Sequence, residues 1–162
     1  MYQKPQLPSL TPLERTALFI GCGFGSGFLK PGPGTWGSVV GFIYFAGLLQ
    51  LPFGFAILVA FLGLCLSIWS SGICERLLQK KDPGEVVIDE IASIPLALWP
   101  LAVLPHPAPW LWVAAFATFR ILDIAKPFPI KQLQCIRGGL GILIDDVVAA
   151  LFTSVVIWFL GR

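Results

Sequence analysis

Apolar runs alternate with charged and uncharged interruptions along this chain. Val39 to Leu51 is apolar and is turned by Leu51-Pro-Phe-Gly54. Phe55 to Cys74 follows and, at about 20 residues, is long enough to cross a bilayer as a helix. Ile91 to Leu104 and Trp110 to Ile124 flank a proline-rich turn at 105–109, with Pro95 and Pro100 expected to kink the first of them. The last run, Leu140 to Leu160, spans only if Asp145 and Asp146 are counted inside it. Pro127 disfavours helical geometry at Lys126, so the fourth run is expected to end by Ala125.

The beginning of the chain reads differently. Residues 1–12 hold three prolines and are expected to form an extended or loosely ordered tail, without the basic-then-apolar pattern of a cleaved leader. Leu13 to Phe28 is apolar and increasingly glycine-rich, and Gly23 to Ser38 is dense in Gly and Pro. A regular lipid-facing helix is excluded there. A loop, or a re-entrant segment buried within protein, is expected.

Composition sharpens the class. The 162 residues suit a single domain, 1–162; 56% are hydrophobic and 12% charged, against about a quarter charged in soluble domains. The pattern predicts an all-α, polytopic integral membrane bundle with the glycine-rich segment near its N-terminus. A net charge of +2 gives no argument for nucleic acid. The four cysteines show no metal-ligand spacing, and His106 stands alone between prolines.

The position of the charges matters more than their sum. If 39–51 pairs with 55–74, and 91–104 with 110–124, the turns at 51–54 and 105–109 share one side and carry no Lys, Arg, Asp or Glu. Every charged residue except Arg162 then lies on the other side, which the positive-inside rule makes cytoplasmic. Four separated stretches meet there: 21–38, 82–90, 120–131 and 137–146.

These stretches carry the candidate chemistry. Asp82, Asp89, Glu90, Asp123, Asp145 and Asp146 offer the hard oxygens that Mg²⁺ prefers. Arg120, Lys126, Lys131 and Arg137 offer partners for phosphate. Ser26, Thr35 and Ser38, with glycine N–H groups, suit a phosphate cradle at the start of helix 39–51. Singly, most of these have ordinary explanations: Arg120 and Asp123 are spaced as an intrahelical ion pair, and the glycines also suit close helix packing. The acidic doublets Asp89-Glu90 and Asp145-Asp146 resist one, because each sits at the mouth of an apolar helix, where charge is costly.

A carboxylate-held Mg²⁺ beside basic residues points to a phosphate ester or anhydride. Other phosphatase designs lack their parts: there is no Cys-x5-Arg, no Asp-x-Asp-x-Thr, and His106 lies on the far side. Metal-assisted direct hydrolysis is favoured over an aspartyl nucleophile.

Four motifs in order then give a resemblance. They are Gly23-Phe-Gly-Ser-Gly27 with Pro33-Gly-Thr-Trp-Gly-Ser38; Asp82 with Val87-Ile-Asp-Glu90; Phe119-Arg-Ile-Leu-Asp-Ile124 with Lys126-Pro-Phe-Pro-Ile130; and Gly138-Gly-Leu-Gly-Ile-Leu-Ile-Asp-Asp146. From Gly21 to Gly161 the chain resembles the phosphatidylglycerophosphatase A family. The resemblance implies a Mg²⁺-dependent phosphatase of the bacterial inner membrane, its site facing the cytoplasm, that converts phosphatidylglycerophosphate to phosphatidylglycerol. It maps acidic roles to Asp82, Asp89, Glu90, Asp123, Asp145 and Asp146, and basic ones to Arg120 and Lys126. Ser93 and Ala150 replace glycines of the family pattern, small residue for small residue. The site expectation is that Asp89, Glu90, Asp145 and Asp146 hold Mg²⁺ while Arg120 and Lys126 hold the phosphomonoester.

Two rivals remain. A small transporter or channel subunit, with buried acids binding a coupling cation, needs charges along a path across the bilayer, and the far-side turns are bare. A CDP-alcohol phosphotransferase needs an Asp-Gly-x-x-Ala-Arg array that is absent.

Overall fold

The computed structural model describes residues 10–133 and 135–162, all helix or connection, with no strand among them. The elements are α1 (Pro12–Gly21), a 3-10 turn (Gly23–Phe28), α2 (Pro33–Leu48), α3 (Phe53–Leu78), α4 (Ile88–Val103), α5 (Pro109–Ala125), the short α6 (Ile130–Leu133) and α7 (Gly139–Leu160).

The ends of these helices follow local chemistry. Thr11 caps α1 in a capping box: Thr11 Oγ1 accepts from the Glu14 N–H, and Glu14 Oε2 accepts from the Thr11 N–H. Most of the tail expected over 1–12 lies outside the described residues, and Thr11 and Pro12 already belong to the start of α1. Pro33 and Pro109 open α2 and α5, where their missing N–H leaves no helical bond unmade. α5 stops at Ala125, as expected, because Pro127 disfavours the helical region at Lys126, which turns left-handed instead (φ 42°). α4 runs unbroken through both Pro95 and Pro100.

Several expected boundaries move, and α3 runs on to Leu78 rather than ending at Cys74. α2 begins at Pro33 rather than Val39, so the last six residues of the supposed glycine loop are helix. Tertiary packing overrides glycine's low helix propensity: a Cβ at Gly37 or Gly41 would meet Val87 or Ile94. The rest of the stretch is a compact turn, with Phe24 and Gly25 left-handed inside it. α4 begins at Ile88 and takes Asp89 and Glu90 into its first turn.

α4 is the centre. Twelve of its 16 residues are buried, and α2, α3, α5 and α7 pack on it. α2 leans mainly on α4; its link to α3 includes the Tyr44 hydroxyl, which donates to the Val59 carbonyl at 2.9 Å. At Gly139 the backbone of α7 lies so close to Ile68 and Gly72 of α3 that no side chain fits.

On α3 and α7 several small polar residues face inward while large apolar ones face outward. Ser67, Ser70 and Ser71 of α3 and Thr153 of α7 are buried, while Phe55, Ile57, Phe61, Leu62, Val155 and Phe159 are exposed. α3 and α7 are each long and apolar enough to cross a membrane. The 49–52 and 104–108 connections and the C-terminus share one end of the bundle. Phe53 stacks on Trp99 with centroids 5.6 Å apart, and Gly161 lies against Leu104.

Candidate active site

At the opposite end, four elements meet around a cleft of about 230 Å³. The first turn of α4 supplies Asp89 and Glu90, the C-terminal end of α5 supplies Arg120, Asp123 and Lys126, and α7 supplies Asp146. The 79–87 connection adds Asp82, and the N-terminus of α2 closes a wall with Gly32, Pro33 and Gly34.

Ion pairs organise one side. Arg120 Nη1 lies 2.6 Å from Asp123 Oδ2, one helical turn away, and 3.6 Å from Glu90 Oε1. Lys126 Nζ reaches Asp145 Oδ2 at 2.5 Å and Asp82 Oδ2 at 3.8 Å. Burial alone would lower the Lys126 pKa; Asp145, with Asp146 and Asp82 nearby, outweighs it and leaves the ammonium raised above its ordinary value. Asp82 (φ 48°) and Lys126 (φ 42°) both hold left-handed backbone, a strain that clusters where function fixes geometry.

The other side has less compensation, with Arg120 reaching only Glu90 there. Oxygens of Asp89, Glu90 and Asp146 lie within 4.8 Å of one another, and these residues are at most 9% exposed. Asp89 Oδ1, Glu90 Oε2 and Asp146 Oδ2 have no hydrogen-bond partner, and neither has Arg120 Nε. Neither Asp89 nor Asp146 forms a salt bridge among the described residues. Buried polar atoms are ordinarily satisfied, so converging orphan carboxylate oxygens fit a divalent cation with a preference for hard oxygens. The orphan Nε–H of Arg120 fits an acceptor such as a phosphoryl oxygen.

The structure separates the expected site residues into groups. Asp82, Asp89, Glu90, Asp123, Asp146, Arg120 and Lys126 all line the cleft. Asp145 holds the Lys126 ammonium instead of joining the carboxylate trio. Thr35 is half-buried and Lys131 exposed, and neither lines the cleft. The Ser26 hydroxyl donates to the Gly23 carbonyl and the Ser38 hydroxyl to the Gly34 carbonyl, so both are committed locally and away from the cleft. Gly34 was not singled out by sequence. A Cβ there would run into Glu90 and Arg120, and only a Pro-Gly pair opening a helix hints at so close an approach. Cys22, whose thiol burial pushes up to about 11, lies outside the cleft.

The model of the family described as phosphatidylglycerophosphatase A matches residues 19–161. A phosphatidylglycerophosphatase A of Haemophilus influenzae is 38% identical over 157 residues, covering 91% of this chain and 93% of that protein. The Escherichia coli protein of the same name is 34% identical over 145 residues, covering 88% and 82%. A Bacteroides thetaiotaomicron protein provisionally named phosphatidylinositol-3-phosphatase is 35% identical over 170 residues, covering 95% and 98%. No solved structure matches the chain.

Proposed function

The chain belongs to the phosphatidylglycerophosphatase A family, and we propose that it is a Mg²⁺-dependent membrane phosphatase that hydrolyses the terminal phosphomonoester of phosphatidylglycerophosphate. The observation that carries this reading is the trio Asp89, Glu90 and Asp146, with unpartnered oxygens, facing a cleft shared with Arg120 and Lys126.

In this reading Asp89, Glu90 and Asp146 hold the Mg²⁺. When bound, the ion neutralises phosphoryl charge and acidifies water. Everything else is done by the chain. Arg120 presents its guanidinium to the phosphoryl oxygens, kept in place by Asp123 and Glu90. Lys126 adds a second cation, held by Asp145. Gly34 lets Glu90 and Arg120 pack against the start of α2, and the partial positive charge of that N-terminus favours an anion beside them. The water oxygen bonds to phosphorus as the bond from phosphorus to the glycerol oxygen breaks, and a proton of the water ends on that glycerol oxygen, releasing inorganic phosphate and phosphatidylglycerol.

The lipid substrate agrees with the exterior. α3 and α7 cross the bilayer, and α2, α4 and α5 complete a polytopic bundle. At 16 or 17 residues those three are about 25 Å long, short of the roughly 30 Å hydrocarbon core, so they cross where the bilayer is thinned or stop partway. Arg162 stacks on Trp158 at 4.4 Å, a pair suited to the far interface. The cleft faces the cytoplasm. A transporter is disfavoured because the site charges gather at one end of the bundle.

The test is phosphate release from phosphatidylglycerophosphate by purified protein in detergent, with Mg²⁺ and with EDTA. Release that requires Mg²⁺ is expected. No release from folded protein under either condition overturns the proposal.

A further inference from the structure

A second polar pocket adjoins the cleft. It holds about 280 Å³ and is lined by Glu75, Lys81, Asp82, Ile136, Gly141 and Ile142. Asp82 lines both spaces. The catalytic assignment above gives Lys81 and Glu75 no task.

The substrate extends well beyond its terminal phosphate. Its terminal phosphate is joined through glycerol to a phosphodiester, and six bonds separate the two phosphorus atoms, roughly 7 Å when extended. With the monoester held by Arg120 and Lys126, the diester lies about that far away, a separation that suits the adjoining pocket. That diester carries one negative charge, and the glycerol between carries one free hydroxyl. The second pocket offers one ammonium for the former and two carboxylates able to accept a hydrogen bond from the latter.

We propose that this pocket reads the headgroup: Lys81 pairs with the bridging phosphodiester, and Glu75, with Asp82, accepts the glycerol hydroxyl. The assignment rests on the phosphatase reading. It makes the enzyme select a phosphomonoester carried on a glycerophosphoryl spacer over one attached directly to diacylglycerol, as in phosphatidate, which leaves the second pocket empty.

The experiment measures kcat and KM for phosphatidylglycerophosphate and for phosphatidate in mixed micelles with Mg²⁺. The variants are Lys81→Gln, Lys81→Arg and Glu75→Gln. Both positions border open space at the surface, so the variants are expected to fold, and a thermal melt checks it. Lys81→Gln is expected to raise KM for phosphatidylglycerophosphate about tenfold, leaving kcat and the constants for phosphatidate unchanged. Lys81→Arg restores KM, and Glu75→Gln raises it less. Equal loss on both lipids, or no change on either, overturns the headgroup role while leaving the phosphatase reading intact. Equal KM values for the two lipids in the wild type overturn it too. A wild type that releases phosphate from neither lipid overturns the phosphatase reading, and the pocket's role with it.

Discussion

Neutralising Asp146 separates stability from activity in a way few other readings of the cleft would allow. Its oxygen lies within 4.8 Å of oxygens on Asp89 and Glu90. At an effective dielectric of about 20, each such pair of charges repels by at least about 3.5 kcal/mol. Asp146 takes part in two of the three pairs, so Asp146→Asn removes about 7 kcal/mol of repulsion from the metal-free protein, less whatever Arg120 already offsets from Glu90. If a third survives that offset and proton uptake by the carboxylates, the remaining ~2 kcal/mol raises Tm by about 4–8 °C for a chain of this size.

In EDTA the variant should therefore melt above the wild type. Mg²⁺ reverses the order, because ligand at a hundred times its Kd adds about 2.7 kcal/mol to the protein that binds it, and the variant has one carboxylate fewer to bind with. Turnover should fall at least about a hundredfold, the scale seen when a single group that stabilises transition-state charge is removed. The assay is a thermal melt in detergent with and without Mg²⁺, beside phosphate release. A variant that melts below the wild type in EDTA, or keeps turnover within tenfold, would refute the argument that these three carboxylates await a cation.

The remaining predictions probe the supports of the site. Lys126→Met takes the ammonium from Asp145, which is 2% exposed, and should destabilise the protein by about 3 kcal/mol as well as slow turnover; a melt and the phosphate assay read both. Gly34→Ala should lower kcat, because its Cβ displaces Glu90 or Arg120. Gly47→Ala, which meets nothing within 4 Å, should leave kcat unchanged. Alkylating the exposed Cys65 and Cys135 should leave turnover intact, and its loss would put a thiol into the mechanism.

Acidic doublets at the mouths of apolar helices have few ordinary uses, so Asp89-Glu90 and Asp145-Asp146 stood out in the sequence without knowledge of which helices meet. Asp145 was harder to place. Neighbouring residues on a helix point about 100° apart, so Asp146 turns toward α4 while Asp145 turns toward the end of α5, and no sequence pattern says which does which. Ser26 and Ser38 misled for a local reason: a hydroxyl near a helical carbonyl bonds it, and both do. The start of α2 was hidden because glycine reads as loop until its partner is known, and the contacts that make it helix come from Val87, Glu90 and Ile94, far along the chain.

That helix start matters more than a boundary. Had α2 begun at Val39, its N-terminus would lie more than a turn beyond Gly34, which lines the cleft. Beginning at Pro33, it brings an uncharged wall against the Glu90–Arg120 pair. Proline leaves no N–H to satisfy there, and Gly34 leaves no side chain to shield what remains. Arg120 is then pressed between that wall and Asp123, with its Nε–H unpartnered and buried. In the proposed reading, an Nε–H so enclosed has little water to lose, and a phosphoryl group able to reach it would supply the missing acceptor at a small desolvation cost.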